Sequence, residues 1–166
     1  MSDTYEDILR LRVKRVYQDR PVDPEDMMRI LEAARWTGSS KNSQNWAFIV
    51  VTDPEQKERL ASAGQFTRPI TSAPATVAIV EEPGGYEFDS GRVAQNIMLA
   101  ADAIGVATCP ITLHRDTLAA EVLGLPAGAR CRYAIALGYP SPDQPPSNYG
   151  GRKPLEDLVH RDRYGV

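Results

Sequence analysis

The stretch Ala33-Ala-Arg-Trp-Thr-Gly-Ser-Ser-Lys-Asn-Ser-Gln-Asn-Trp46 decides how the chain is read. Its first residues close a helix, its middle is a polar loop, and its end delivers Trp46 into a strand. Between the two tryptophans stand Thr37, Ser39, Ser40, Asn42, Ser43, Gln44 and Asn45, with Gly38 as the expected helix terminator. A turn needs only one or two such side chains. The run is therefore either an ordinary surface loop or a wall of neutral donors and acceptors for a flat, uncharged, polar-edged ligand.

Upstream, Asp23-Pro24 opens the helix, the aspartate capping it and the proline taking its first position. Met27, Ile30, Leu31 and Ala34 keep helical spacing and face a core. Further back, Leu9, Val13 and Val16 predict a first helix over Tyr5–Tyr17. Arg10, Arg12, Lys14 and Arg15 stand beside that stripe, and Arg12 and Arg15 are spaced to project from one side. They form either a solvated basic face or an anion site.

Downstream, residues 47–52 read as a buried strand. Asp53-Pro54 repeats the helix start, with Gln56 placed for a capping box and the helix ending near Gly64. Residues 65–74 read as loop and 75–80 as a second strand. A helix capped by Asp89 or Ser90 runs to Ile104 and is apolar on nearly every side, which predicts a subunit interface in a chain of 166 residues. Residues 106–111 form a third strand with Pro110 near its exit, 117–123 a short helix and 131–137 a fourth strand. Residues 138–166 differ in kind. Pro140, Pro142, Pro145 and Pro146 make an extended arm, Gly150-Gly-Arg-Lys-Pro154 is a second basic knot, and Leu155, Leu158 and Val159 suit wrapping of a neighbour. Strands alternating with helices predict a layered α/β or α+β sheet in one domain over 1–166.

Composition is ordinary, 42% hydrophobic and 25% charged, and a net charge of −3 argues against nucleic acid or anionic membrane as partner. The spaced apolar residues of the N-terminus do not read as a secretory signal, and no apolar run is long enough to span a bilayer. Cys109 and Cys131, outside any CxxC spacing, read as buried free thiols of a reducing compartment, hence a cytoplasmic protein. His114 and His160 offer no metal cluster. The Gly-x-Gly fingerprint, the P-loop and the Gly-x-Ser-x-Gly elbow are absent, and no nucleophile is paired with a base. Enzymatic chemistry, if present, belongs to a cofactor. Two basic knots, Arg12/Arg15 and Arg152/Lys153, together with the polar loop describe a site for a phosphorylated planar cofactor.

Four segments carry a resemblance that runs from about Leu9 to Tyr164. They are Arg12-x-x-Arg15-x-Tyr17 with Pro21-Val22; Ile30 to Arg35 followed by Ser39-Ser-Lys-Asn-Ser-Gln-Asn-Trp46; Gln95-Asn-Ile-Met-Leu-Ala-Ala101 with Ile104-Gly105; and Leu137-Gly-Tyr-Pro140 with Arg152-Lys-Pro-Leu155. The pattern resembles the FMN-dependent nitroreductase family. The resemblance implies an α+β, three-layer fold with a central mixed sheet flanked by helices, in an intertwined homodimer with an exchanged C-terminal arm. FMN sites would lie at the interface. Arg12 and Arg15 would hold the phosphate with Arg152 and Lys153, while Val13 stands where a serine often assists. Ser39, Ser40 and Asn42 would reach the flavin from the partner subunit. Pro110, Ile111, Thr112 and Leu113 would run along the isoalloxazine with a backbone N–H facing N5, and Gln65 would reach the pyrimidine edge.

The implied reaction is ping-pong: NAD(P)H, a transient co-substrate, gives hydride to flavin N5, and a nitroaromatic, quinone or other small planar electron acceptor then takes it. No side chain need act as acid or base. The alternative within the same fold is a flavin- or deazaflavin-binding protein with a non-reductase role. Asn45 replaces a proline usual before the tryptophan, and the link from Val80 to Asp89 is too short for the helices that lid larger members.

Overall fold

The computed structural model describes residues 4–145 and 151–165. Its centre is a four-stranded sheet built from β1 (Trp46–Val51), β2 (Ala75–Glu81), β3 (Ala107–Thr112) and β4 (Arg130–Gly138) in the order β1-β2-β4-β3. Every pairing is antiparallel, so among the described residues the sheet is not the mixed one that the resemblance implied. Neighbouring strands alternate in direction, β1 and β4 running one way and β2 and β3 the other.

Helices cover both faces, giving three layers. On one face α2 (Pro24–Arg35) and α5 (Glu87–Ala103) bury Ile30, Ala34, Val93, Ile97 and Ala101 against Val77, Ile135 and Leu137. On the other, α3 (Pro54–Ala61), α4 (Arg68–Ser72) and α6 (Asp116–Leu123) pack Leu60, Ile70 and Ala119 on Ala78, Ile111 and Ala134. Adjacent residues of one strand thus serve different cores, as the pleat requires.

The helix starts follow their caps. Asp23 accepts from the Glu25 amide and Asp53 from the Gln56 amide, both at 2.8 Å. The capping box is completed differently: the Gln56 amide side chain donates to Val122 O at 2.6 Å and ties α3 to α6. The segment read as loop over 65–74 contains α4, and the central helix begins at Glu87, one turn before the expected cap.

Two expectations fail for tertiary reasons. The first helix, α1 (Thr4–Arg10), stops well short of Tyr17. Beyond it the backbone bonds to distant strands: Lys14 N–H donates to Thr108 O at 3.0 Å, Gln18 N–H to Tyr139 O at 2.9 Å, and Tyr17 bridges Pro140. Arg12 and Arg15 are therefore not neighbours on a helical face. Likewise Gly38 does not terminate α2, which ends at Arg35 with Trp36 as C-cap, and Gly38 is not among the residues with positive φ. Its carbonyl accepts from Arg92 on α5, and a Cβ there would lie 3.2 Å from that guanidinium.

The arm from 151 to 165 is exposed except at the half-buried His160, with Leu155 71% and Tyr164 91% accessible. Among the described residues, its hydrogen bonds stay within the segment. Pro146 of the proline series and Gly150 of the basic knot lie outside the described residues.

Candidate functional site

The site begins with β3, an outer strand of the sheet. In an edge strand, alternate residues turn their backbone groups toward the neighbour and away from it. Leu113 N–H donates to Arg132 O on the β4 side at 2.8 Å, so Thr108, Pro110 and Thr112 face outward. Each outward residue has a distinct use. Thr108 O takes Lys14 N–H; Pro110 has no N–H to leave unpaired; Thr112 presents an amide away from the sheet. The Leu113 side chain is fully buried and the Ile111 side chain 5% accessible, while Pro110 is exposed and Thr112 half-buried.

Gly64 fixes the exit of the strand. A Cβ on it would sit 2.9 Å from Thr112 O and 2.4 Å from Thr67 Cγ2. This close approach sets exposed Gln65 next to the Thr112–Leu113 turn.

The N-terminal cations arrive along the same edge. The Arg15 and Val16 amides both donate to Gln144 Oε1, at 2.7 and 3.1 Å, which pins the segment between β3 and the start of the arm. Burial pushes the Cys109 thiol up, and the Arg15 guanidinium partly offsets the rise. Arg12 Nη1 donates to Leu9 O at 2.7 Å and Leu11 O at 2.8 Å at the end of α1. Both bonds use one nitrogen, Nη1. Val13 is half-buried and packs against both apolar clusters.

The polar loop stands apart from this edge. Ser39 Oγ accepts from the Gln44 amide at 2.9 Å, and Ser40–Asn42 form a 3-10 turn in which Lys41 and Asn42, followed by Gln44, have φ of 54°, 54° and 51°. Left-handed backbone at three non-glycine residues in four costs of order 1–2 kcal/mol each. The loop is tied to α5, where Asn96 Nδ2 donates to Thr37 Oγ1 at 2.8 Å. Among the described residues, no hydrogen bond or ion pair joins Ser39, Ser40 or Asn42 to Arg12, Arg15 or Pro110–Leu113. Arg152 likewise bonds only Gly151 O, at 2.9 Å, and Lys153 is exposed. One chain thus sets Gln65 beside the end of the Pro110–Leu113 segment, with Arg12 farther back along the β3 edge beside Ala107 and Thr108, and joins none of Ser39, Ser40, Asn42, Arg152 and Lys153 to either.

Between the end of β3 and α5 lies a cleft of 300 Å³ lined by Gly91, Ala94, Pro110, Ile111, Thr112, Tyr133, Ile135 and Glu87. Glu87, Gly91 and Ala94 are one stripe of α5, and Thr112 and Tyr133 are register partners. The sequence reading missed Gly91, Ala94, Tyr133 and Glu87. The small residues of the helix stripe were the available signal, since they let the strand end stand clear of the helix. An apolar slot and an outward amide, with the cations Arg12 and Lys14 farther back along the same strand edge, form a donor set that fits a flavin mononucleotide: cations for phosphate, a backbone donor for a ring nitrogen, apolar walls for the ring.

Known proteins share this arrangement of elements. The sequence model of the Nitroreductase family matches residues 10–77 and 71–139. A protein of Archaeoglobus fulgidus named for NADH dehydrogenase or NAD(P)H nitroreductase activity is 29% identical, across 99% of this chain and 100% of that one. The NADPH-flavin oxidoreductase of Vibrio harveyi is 31% identical, across 99% of this chain and 75% of its own. The solved structure of NADPH:FMN oxidoreductase from Vibrio harveyi complexed with NAD+ superposes with a TM-score of 0.87 at 26% identity, covering 99% of this chain and 79% of that one. With the family model matched over most of its length and the fold reproduced, this chain belongs to the nitroreductase family.

Proposed function

We propose that the protein is an FMN-dependent oxidoreductase that draws hydride from NAD(P)H and passes it to a small planar acceptor such as a nitroaromatic or a quinone. The observation that carries the proposal is the outer edge of β3, where Pro110 and Thr112 open onto the apolar cleft and Lys14, between Arg12 and Arg15, bonds Thr108 farther back along the same edge. The named relatives act on NADPH and flavin. FMN bound here supplies hydride acceptance and donation at its N5. The chain's own residues do the rest: Arg12 and Arg15 hold the phosphate, the Thr112 amide donates to the ring, and Pro110 and Ile135 shield one face from water.

The active form is a homodimer. Ser39, Ser40 and Asn42 complete the ring site from the second copy, and the exposed arm brings Arg152 and Lys153 to the phosphate. Supporting this are the exposed apolar residues Tyr5, Ile8, Leu9, Leu155, Leu158 and Val159, each at least half accessible in the single chain. Residues 82–86 join β2 to α5 directly, so no inserted helix covers the cleft, and acceptors of varied shape can enter. Among the described residues no helix is long and apolar enough to cross a membrane. Both cysteines are free and buried, which suits the cytoplasm.

Anaerobic titration tests the reading. The purified protein is expected to bind FMN stoichiometrically, and NADPH or NADH is expected to bleach the bound flavin. A protein that remains colourless in excess FMN contradicts the proposal.

A further inference from the structure

One polar cluster in the cleft has no part in holding flavin. Glu87, at the start of α5, accepts a hydrogen bond from the Tyr133 hydroxyl, and Arg132 Nε stands 3.3 Å from the same carboxylate oxygen, Oε1. A β-bulge sets this up. β4 pairs Tyr133 with Ile79 and Cys131 with Val80, which leaves Arg132 unopposed in β2. The extra residue breaks the alternation of faces and lets Arg132 reach around the strand to Glu87. The bond from Tyr133, helped by Arg132 and Arg130, holds the Glu87 carboxyl below the usual range, so the carboxylate is charged at neutral pH.

The donor and acceptor inventory of this cluster is one-sided. The Tyr133 proton is committed to Glu87, and Arg132 directs its Nε there while the rest of its side chain lines a separate hollow beside His114 and Asp116 instead of the cleft. What remains toward the cleft is acceptor capacity: Glu87 Oε2 and a lone pair of Tyr133. An anionic or acceptor-only group is disfavoured there, whereas an N–H donor is matched. The nitro group and the quinone carbonyl offer no donor. Of the two substrate classes in the proposed reaction, only the reductant carries an obligatory one, the carboxamide NH2 of its nicotinamide ring.

We propose that Glu87, oriented by Tyr133 and Arg132, recognises the nicotinamide carboxamide of NAD(P)H and sets the pose in which the reductant reaches the flavin. This rests on the oxidoreductase reading above and adds a residue-level basis for reductant selection. Glu87 is a specificity residue; Tyr133 and Arg132 are positioning residues that act through it.

The test compares NADH with its acetylpyridine analogue, in which a methyl ketone replaces the carboxamide and the NH2 donor is lost. Stopped-flow flavin reduction gives the ratio of kcat/KM for the two reductants in the wild type, in Glu87→Gln and in Tyr133→Phe. Comparing ratios removes the intrinsic reactivity of the analogue. Glu87→Gln is expected to lower the NADH preference about tenfold, because a neutral acceptor replaces a charged one. Tyr133→Phe should lower it less, because the carboxylate remains but is no longer oriented. The exposure of Glu87 makes a folding defect in Glu87→Gln easy to separate by thermal melting. Equal ratios in all three proteins overturn the inference while leaving the oxidoreductase reading intact. Bound flavin that neither reductant bleaches in the wild type overturns both.

Discussion

In the proposed site, the cations of the N-terminal segment are the residues expected to bear most of the binding. Each charge-assisted bond to a phosphate contributes roughly 1.5–3 kcal/mol, so Arg12→Ala and Arg15→Ala should each weaken FMN binding by about one to two powers of ten. Riboflavin, which lacks the phosphate, should bind both variants as it binds the wild type; fluorescence titration with the two ligands separates the cases. Equal losses for riboflavin would show that the arginines support the fold instead. A second residue-scale effect concerns Cys131, whose thiol is pushed up to about 12 by burial and only partly relieved by bonds from the backbone. In the unfolded chain a thiol titrates near 8.5. The folded state therefore favours the protonated form, and its stabilising contribution is complete below that unfolded value and lost as pH rises toward the folded one. Urea denaturation stepped through this alkaline window should show stability falling with pH, and Cys131→Ala should fall less steeply.

At the scale of elements, legibility followed locality. The starts of α2 and α3 were visible in Asp23-Pro24 and Asp53-Pro54 because a cap acts within four residues. The end of α1 was not. Leu9, Val13 and Val16 have helical spacing, yet Val13 and Val16 lie in an extended stretch whose bonds run to Thr108 and Gln144, more than ninety residues away. Spacing alone cannot register such a competitor. Gly38 was misread in the same way, since its partner Arg92 lies on a distant helix. The β3 exit was legible through Pro110, whereas the stripe of Glu87, Gly91 and Ala94 gained meaning only once α5 was docked on the strand. Gly64 joins these elements, and its substitution is diagnostic. Gly64→Ala forces a Cβ against Thr112 O and Thr67, and overpacking of this kind costs about 1–3 kcal/mol. We expect a lower thermal midpoint together with weaker FMN binding, because the same backbone carries the Thr112 amide. A loss of stability with FMN affinity retained would detach Gly64 from the site.

At the scale of the whole molecule, the proposed reading requires a site shared between two chains. Its antiparallel sheet, exposed arm and strained polar loop are accounted for together if a second copy covers the β3 edge and lends Ser39, Ser40 and Asn42. Hybrid dimers test this most directly. An Arg15→Ala chain and a chain carrying Ser40→Ala and Asn42→Ala each spoil a different half of both sites in their own homodimers. Mixed and allowed to exchange at random, half the dimers are hybrids, and each hybrid has one site with both halves intact, so about a quarter of all sites should recover FMN binding. Recovery on mixing is the result expected of a site shared between two chains. A mixture that binds no more FMN than its two components measured separately would contradict the account.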